Sequence, residues 1–207
     1  MVLDFFAGSG TTAHAVMAVN AEDRGNRRWI QVQLPERIES ARYDDIFSLA
    51  VDRVRLAGSM LKQEHATTAA TLDTGFRVLK VDTSNVREVY YRPDEVKQDE
   101  LGLQIDHLKE DRTPEDLLFQ VMLDWGVDLS LPIREESIAG KQVWWVDDNA
   151  IAACFETDIS DTFVKELAER QPLRAVFRDS GYATDAVKIN ITEIFKRLSP
   201  GTEVKTL

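Results

Sequence analysis

Asp4 stands four residues ahead of Gly8, and Gly8-Ser9-Gly10-Thr11-Thr12 follows in an unbroken run. Two glycines one residue apart let the backbone turn sharply and let a ligand approach where a Cβ would block it. The free N–H groups at the start of a following helix then face that ligand. G-S-G-T-T-A fits the dinucleotide pattern G-x-G-x-x-A, and no Gly-Lys-Ser/Thr follows to make a Walker A loop. The carboxylate of Asp4 at the end of the preceding strand narrows the choice. It suits a ligand with positive charge nearby and would repel a pyrophosphate. S-adenosylmethionine has a sulfonium, an ammonium and no phosphate, and Phe6 offers an apolar wall for its adenine or methionine part. Asp4, Phe6, Ala7, Gly8, Ser9, Gly10, Thr11 and Thr12 are therefore the candidate cofactor-binding residues. An ordinary parallel-strand turn, with glycines present for packing, fits the same residues.

Those residues need a strand, a turn and a helix to place them. Val2, Leu3, Phe5 and Phe6 form a short apolar run that predicts a buried strand over residues 1–6. Val16, Met17 and Val19 among small alanines predict a packed crossover helix over 11–19. Trp29, Ile30 and Val32 predict a second strand over 27–33, which Pro35 closes. The polar loop at 20–26 reads as solvated. Glu36 then lies at the carboxyl end of a strand beside the first. An acid there can accept hydrogen bonds from ribose hydroxyls, or it can serve as a carboxylate at a helix N-terminus. Ile46, Ala50, Val54, Ala57 and Leu61 predict a long helix from residue 38 to about 62. Val78-Leu79-Lys80-Val81 predicts a third strand, giving a β-α-β-α-β order.

D-F-F-A-G-S-G-T-T-A-H-A-V resembles motif I of the amino-group DNA methyltransferases, and most closely that of the adenine-specific modification subunits of type III restriction-modification systems. V-Q-L-P-E at 32–36 is similar to the second motif of that family, and D-T-G-F-R-V-L-K-V-D at 73–82 extends the likeness. F-R-D-S-G-Y, D-A-V-K-I-N and the closing V-K-T-L resemble the C-terminal end of those subunits. The resemblance implies a partial Rossmann-like, S-adenosylmethionine-dependent sheet, with Glu36 on the ribose. It implies DNA and a restriction subunit as partners.

Methyl transfer to an exocyclic amine also needs a pocket for the flipped base, which in the family is an Asp-Pro-Pro-Tyr or similar segment. The six prolines of this chain include no adjacent pair, so that segment is absent and no catalytic residue is assigned. In the family's motif order the catalytic and target-reading parts precede motif I. The expectation is thus a C-terminal portion of a longer methyltransferase, inactive by itself, with weak cofactor binding and Leu207 near the natural terminus. DNA would contact the part ahead of Met1. The alternative is a subunit-interaction module with an empty loop. An exposed edge on the first strand would invite a homodimer.

Beyond the first three strands, residues 83–112 are mostly polar and read as a connection between a cofactor-binding part at 1–82 and a small α/β domain at 113–207. Thr113-Pro114-Glu115-Asp116 starts a helix, with Leu117, Leu118, Val121, Met122 and Trp125 as its apolar stripe and Gly126 as its stop. Two strands within 141–155, helices at 160–170 and 185–198, and strands at 173–177 and 203–207 complete the expected fold. Phe177-Arg178-Asp179-Ser180-Gly181-Tyr182 reads as a tight strand-to-helix turn, with Gly181 at positive φ and Asp179 bonding the backbone. Trp144-Trp145 reads as core and hairpin rather than base-stacking surface.

Composition sets the outer bounds. The 207 residues carry a net charge of −11, of which residues 1–75 account for −2. That acidity argues against this polypeptide wrapping nucleic acid unaided. No apolar run is long enough to cross a bilayer. Cys154 is the single cysteine, which excludes a disulfide framework and suits a reducing, cytoplasmic location. His14, His65 and His107 lack metal-ligand spacing, so no metal site is assigned.

Overall fold

The computed structural model describes residues 1–66, 71–87 and 108–207. The chain divides into two compact units, Met1–Val81 and Asp82–Leu207. Tyr90, Tyr91 and His107, within the expected connection, lie outside the described residues. Both units are mixed α/β, with five α-helices and two sheets among the described residues.

In the first unit, β1 (Val2–Asp4) pairs in parallel with β2 (Trp29–Gln31), Leu3 opposite Ile30. Between them runs α1 (Thr11–Asp23), and α2 (Ile46–Glu64) follows. Ala13 and Met17 of α1 pack on Val54, Ala57 and Leu61 of α2 to make a small core, with Trp29 and Phe76 half-buried against it. The Trp29 and Phe76 rings lie 5.7 Å apart.

The strand expected to be buried over residues 1–6 is instead short and leaves Val2, Leu3, Phe5 and Phe6 exposed, because nothing among the described residues covers that face. Three further expectations change here. The helix α1 runs on to Asp23, and Asn20 is buried rather than solvated. The Asn20 amide donates to the Arg27 carbonyl at 2.8 Å and accepts from the Arg27 N–H at 3.0 Å. It thereby ties the end of α1 to the start of β2. Second, α2 begins at Ile46, because Asp45 caps it by accepting from the Ser48 N–H at 2.7 Å. Residues 36–45 instead form an excursion closed by the Arg37–Asp45 bridge. Third, residues 78–81 are not a strand. Val78 and Leu79 are exposed and Val81 is fully so. The sheet of this unit has two strands among the described residues. Without a third partner, an apolar run has no ladder to join.

The second unit is a five-stranded mixed sheet in the order β3-β4-β5-β6-β7. It is built from α3 (Pro114–Asp124), β3 (Ile133–Ile138), β4 (Lys141–Val146), β5 (Ile151–Cys154), α4 (Asp161–Glu169), β6 (Arg174–Phe177), α5 (Asp185–Leu198) and β7 (Glu203–Thr206). The first three strands are antiparallel neighbours and the last three parallel. Side chains alternate across the sheet. Ala152, Cys154, Ala175 and Phe177 face α4 and α5, whereas Ile151, Ala153 and Val176 face α3. All four residues of β5 are buried, as expected for a strand covered by helices on both faces.

Thr113 and Asp116 form a reciprocal capping box at α3. The Thr113 hydroxyl accepts from the Asp116 N–H, and the Asp116 carboxylate accepts from the Thr113 N–H at 2.8 Å. Thr113→Ala is expected to lower stability by about 1 kcal/mol, read as a shift in urea midpoint at unchanged slope. The Asp116 carboxyl should stay below the ordinary carboxylate range and rise only part of the way, because the Thr113 N–H, the largest cause of the lowering, survives the substitution and only the hydroxyl, the second cause, is lost.

β3 has no counterpart in the sequence reading. The F-R-D-S-G-Y segment also differs from expectation. Gly181 is not at positive φ, but sits where a Cβ would come within 2.7 Å of the Glu156 carbonyl oxygen. Asp179 directs its carboxylate to Lys188 at 2.6 Å instead of to the backbone.

Candidate functional site

The glycine loop joins the end of β1 to α1. Beyond Asp4 the chain stays attached to its neighbour, since Val32 donates to the Asp4 carbonyl at 2.8 Å and Ala7 to the Val32 carbonyl at 3.2 Å. Ala7 is buried. Gly8 and Gly10 both take positive φ, 54° and 78°. Their roles differ. Around Gly8 there is open space, whereas a Cβ on Gly10 would meet the Val54 side chain at 2.8 Å and the Ala50 carbonyl oxygen at 3.3 Å. Gly10 lets α1 close on α2, and Gly8 leaves the mouth of the loop clear.

Asp4 is the hub of the turn. Its carboxylate accepts from the Thr12 hydroxyl at 2.6 Å, the Phe6 N–H at 3.1 Å and the Gln31 amide at 3.4 Å. The Thr12 hydroxyl, then the Phe6 N–H, hold its carboxyl below the ordinary carboxylate range. Its folded pKa is depressed, so its contribution is complete above about pH 4, the unfolded value. That contribution is lost as pH falls through the folded pKa. Thr12→Val should move the Asp4 midpoint back up, observable by carboxyl NMR titration. An unchanged midpoint would show that the Thr12 bond is not made in solution.

Two side chains that no motif marked complete the loop. Gln33 accepts from the Gly8 N–H at 2.7 Å. Arg53 of α2 donates through Nη1 to the Ser9 carbonyl at 3.0 Å and the Thr11 hydroxyl at 2.9 Å. Ser9 and Thr11 hydroxyls stand 3.5 Å apart. The signal for Arg53 is its register: it borders the buried stripe Ala50, Val54 and Ala57 that packs against α1. Phe6 is 92% exposed, open to any ligand or partner rather than walled in.

Glu36 lies apart from this cluster. Its side chain is exposed, its N–H donates to the Leu34 carbonyl, and its carbonyl accepts from the Ile46 N–H at 3.0 Å. No hydrogen bond joins it to the glycine loop among the described residues. The structure thus brings together Asp4, Ala7, Gly8, Ser9, Gly10, Thr11 and Thr12, with Gln33 and Arg53 added, and leaves Glu36 beside the first turn of α2. No His/Cys/Asp/Glu group able to hold a metal occurs among the described residues.

The chain has relatives of known kind. The chain is 37% identical over 83 residues to the StyLTI Mod subunit of a type III restriction-modification enzyme from Salmonella typhimurium. It is 36% identical over 85 residues to the EcoPI Mod subunit of Escherichia phage P1. The chain is related to type III Mod subunits. The matched stretches make up 37% and 38% of this chain but only 12% and 13% of those relatives. A Mod subunit from Escherichia coli matches over 60 residues at 42% identity. No protein-family model matches the chain. None of its helices is long and apolar enough to cross a membrane, among the described residues.

Proposed function

We propose that this chain carries the S-adenosylmethionine-binding part of an adenine-specific DNA methyltransferase of the type III Mod kind. The observation that carries the reading is Asp4. An anionic group at the strand end is locked onto Thr12 directly beside a glycine mouth that holds no side chain. That arrangement repels phosphates and favours a sulfonium ligand. In this reading β1, α1, β2 and α2 belong to a Rossmann-like sheet, with residues 1–82 as the cofactor part, 83–112 as connection and 113–207 as a separate α/β domain. Asp4, Phe6 and residues 7–12 hold the cofactor, and Glu36 meets the ribose after residues 36–45 shift toward the loop. The bound cofactor would supply an electrophilic methyl group. The pocket for the target base is not furnished by these 207 residues, which contain no adjacent prolines. DNA and a restriction subunit are the partners of the assembled enzyme, in the cytoplasm.

A second reading is favoured by the open face of the first sheet. Leu3, Phe5, Ile30 and Val32 are all exposed, which suits a subunit-interaction module, including a homodimer, with no cofactor. Calorimetric titration with S-adenosylmethionine distinguishes the two. Binding that Asp4→Ala weakens at least tenfold supports the methyltransferase reading. Absence of heat at millimolar cofactor, or equal binding by Asp4→Ala, removes it.

A further inference from the structure

The mouth of the glycine loop carries two opposite charges, each anchored to one of two adjacent hydroxyls. Asp4 is fixed by Thr12, and Arg53 by Thr11 and the Ser9 carbonyl. Both hydrogens of the Arg53 Nη1 are engaged in those two contacts. Nothing among the described residues accepts from its Nη2 or Nε, and no carboxylate there pairs with it. Asp52, Asp45 and Asp4 each have other partners. Asp52 faces Arg42 and Arg55, Asp45 caps the helix, and Asp4 is held by Thr12, Phe6 and Gln31. An un-neutralised guanidinium with a free edge is therefore held rigidly at the loop. Arginine presents that edge in a geometry matched to a planar carboxylate.

We propose that Arg53 makes the loop selective for a zwitterionic ligand, its free edge pairing with the carboxylate of the methionine moiety while Asp4 lies on the side of the positive charges. This rests on the cofactor reading above and adds a specificity-determining residue to it. Arg53 would also exclude ligands that lack the carboxylate, because its free donors would then be desolvated without a partner.

The test compares S-adenosylmethionine with decarboxylated S-adenosylmethionine and methylthioadenosine, by calorimetry on the whole 207-residue chain. The parent should bind S-adenosylmethionine at least tenfold more tightly than the decarboxylated form. Arg53→Gln should bring that ratio near one by weakening S-adenosylmethionine at least tenfold more than the decarboxylated form or methylthioadenosine, while Arg53→Lys restores part of the ratio. A loss of loop structure alone would weaken all three ligands together, which overturns the proposal. So does a parent ratio near one, a result independent of whether any variant folds. Parent binding to all three ligands with no dependence on Arg53 overturns this inference and leaves the cofactor reading standing. Binding to none of them overturns the cofactor reading, and Arg53 selectivity with it.

Discussion

Gly10→Ala is expected to destabilise the Met1–Val81 unit by about 2–5 kcal/mol. Two costs add. A non-glycine residue held at a φ of 78° pays about 1–2 kcal/mol for the left-handed conformation. The new Cβ also falls 2.8 Å from the Val54 Cγ2 and 3.3 Å from the Ala50 carbonyl oxygen. Valine is stiff at χ1 and the carbonyl belongs to helix α2, so neither neighbour yields cheaply. Overpacking of that kind costs a further 1–3 kcal/mol. Gly8→Ala is the control, since it has a positive φ but open space around it. Only the conformational cost of about 1–2 kcal/mol applies. Hydrogen exchange of α1 and α2 amides should therefore accelerate far more in Gly10→Ala than in Gly8→Ala. Equal effects would mean that the contact between loop and α2 contributes nothing beyond φ. Ligand binding should show a different pattern, because the Gly8 Cβ would project into the mouth without loosening the packing beneath it.

This contrast between two glycines marks the limit of what sequence reading reaches. The loop itself was legible, because a carboxylate, two glycines and two threonines within nine residues carry their own local geometry. The capping box at α3 was legible for the same reason, as were α4 and α5, whose caps and stripes lie within one helix length. Gln33 and Arg53 were not, since they meet the loop across 25 and 44 residues. The strand expected at 78–81 failed because a strand exists only with a partner, and pairing is a tertiary property. β3 was missed for the converse reason. Arg134, Glu135 and Glu136 give it a charged appearance, which suits a strand with one open edge. Its pairing with β4 comes from the Ala139-Gly140 turn, where both residues take positive φ. The late start of α2 reflects competition among acids. Asp45 directly precedes Ile46 and Phe47 and its carboxylate reaches the Ser48 N–H, whereas Glu36 is followed by Arg37 and its carboxylate caps no helix among the described residues.

The second unit should fail at its centre. Phe177→Ala is expected to cost about 3–5 kcal/mol, the range for removing a fully buried phenylalanine and leaving a cavity. Its ring lies 6.1 Å from Tyr182 and 6.2 Å from Phe195. It stands opposite Cys154 on one side and Thr206 on the other in the parallel part of the sheet. Loss of the ring therefore removes contacts to α5, to the turn after β6 and to the helix-facing side of the sheet together. Leu173→Ala, one residue before β6 and 60% exposed, should change stability by less than about 0.5 kcal/mol. Cys154 supplies an internal reporter. It is fully buried, and burial pushes its thiol up to about 11, so the native parent should resist thiol reagents at neutral pH. In Phe177→Ala, the logarithm of the Cys154 labelling rate should rise in proportion to the fall in unfolding free energy, because exposure proceeds through opening of this core. Unchanged labelling in a variant that has lost the expected stability would mean that Cys154, on the same face as Phe177, is exposed by a local opening that does not break the packing around the Phe177 ring.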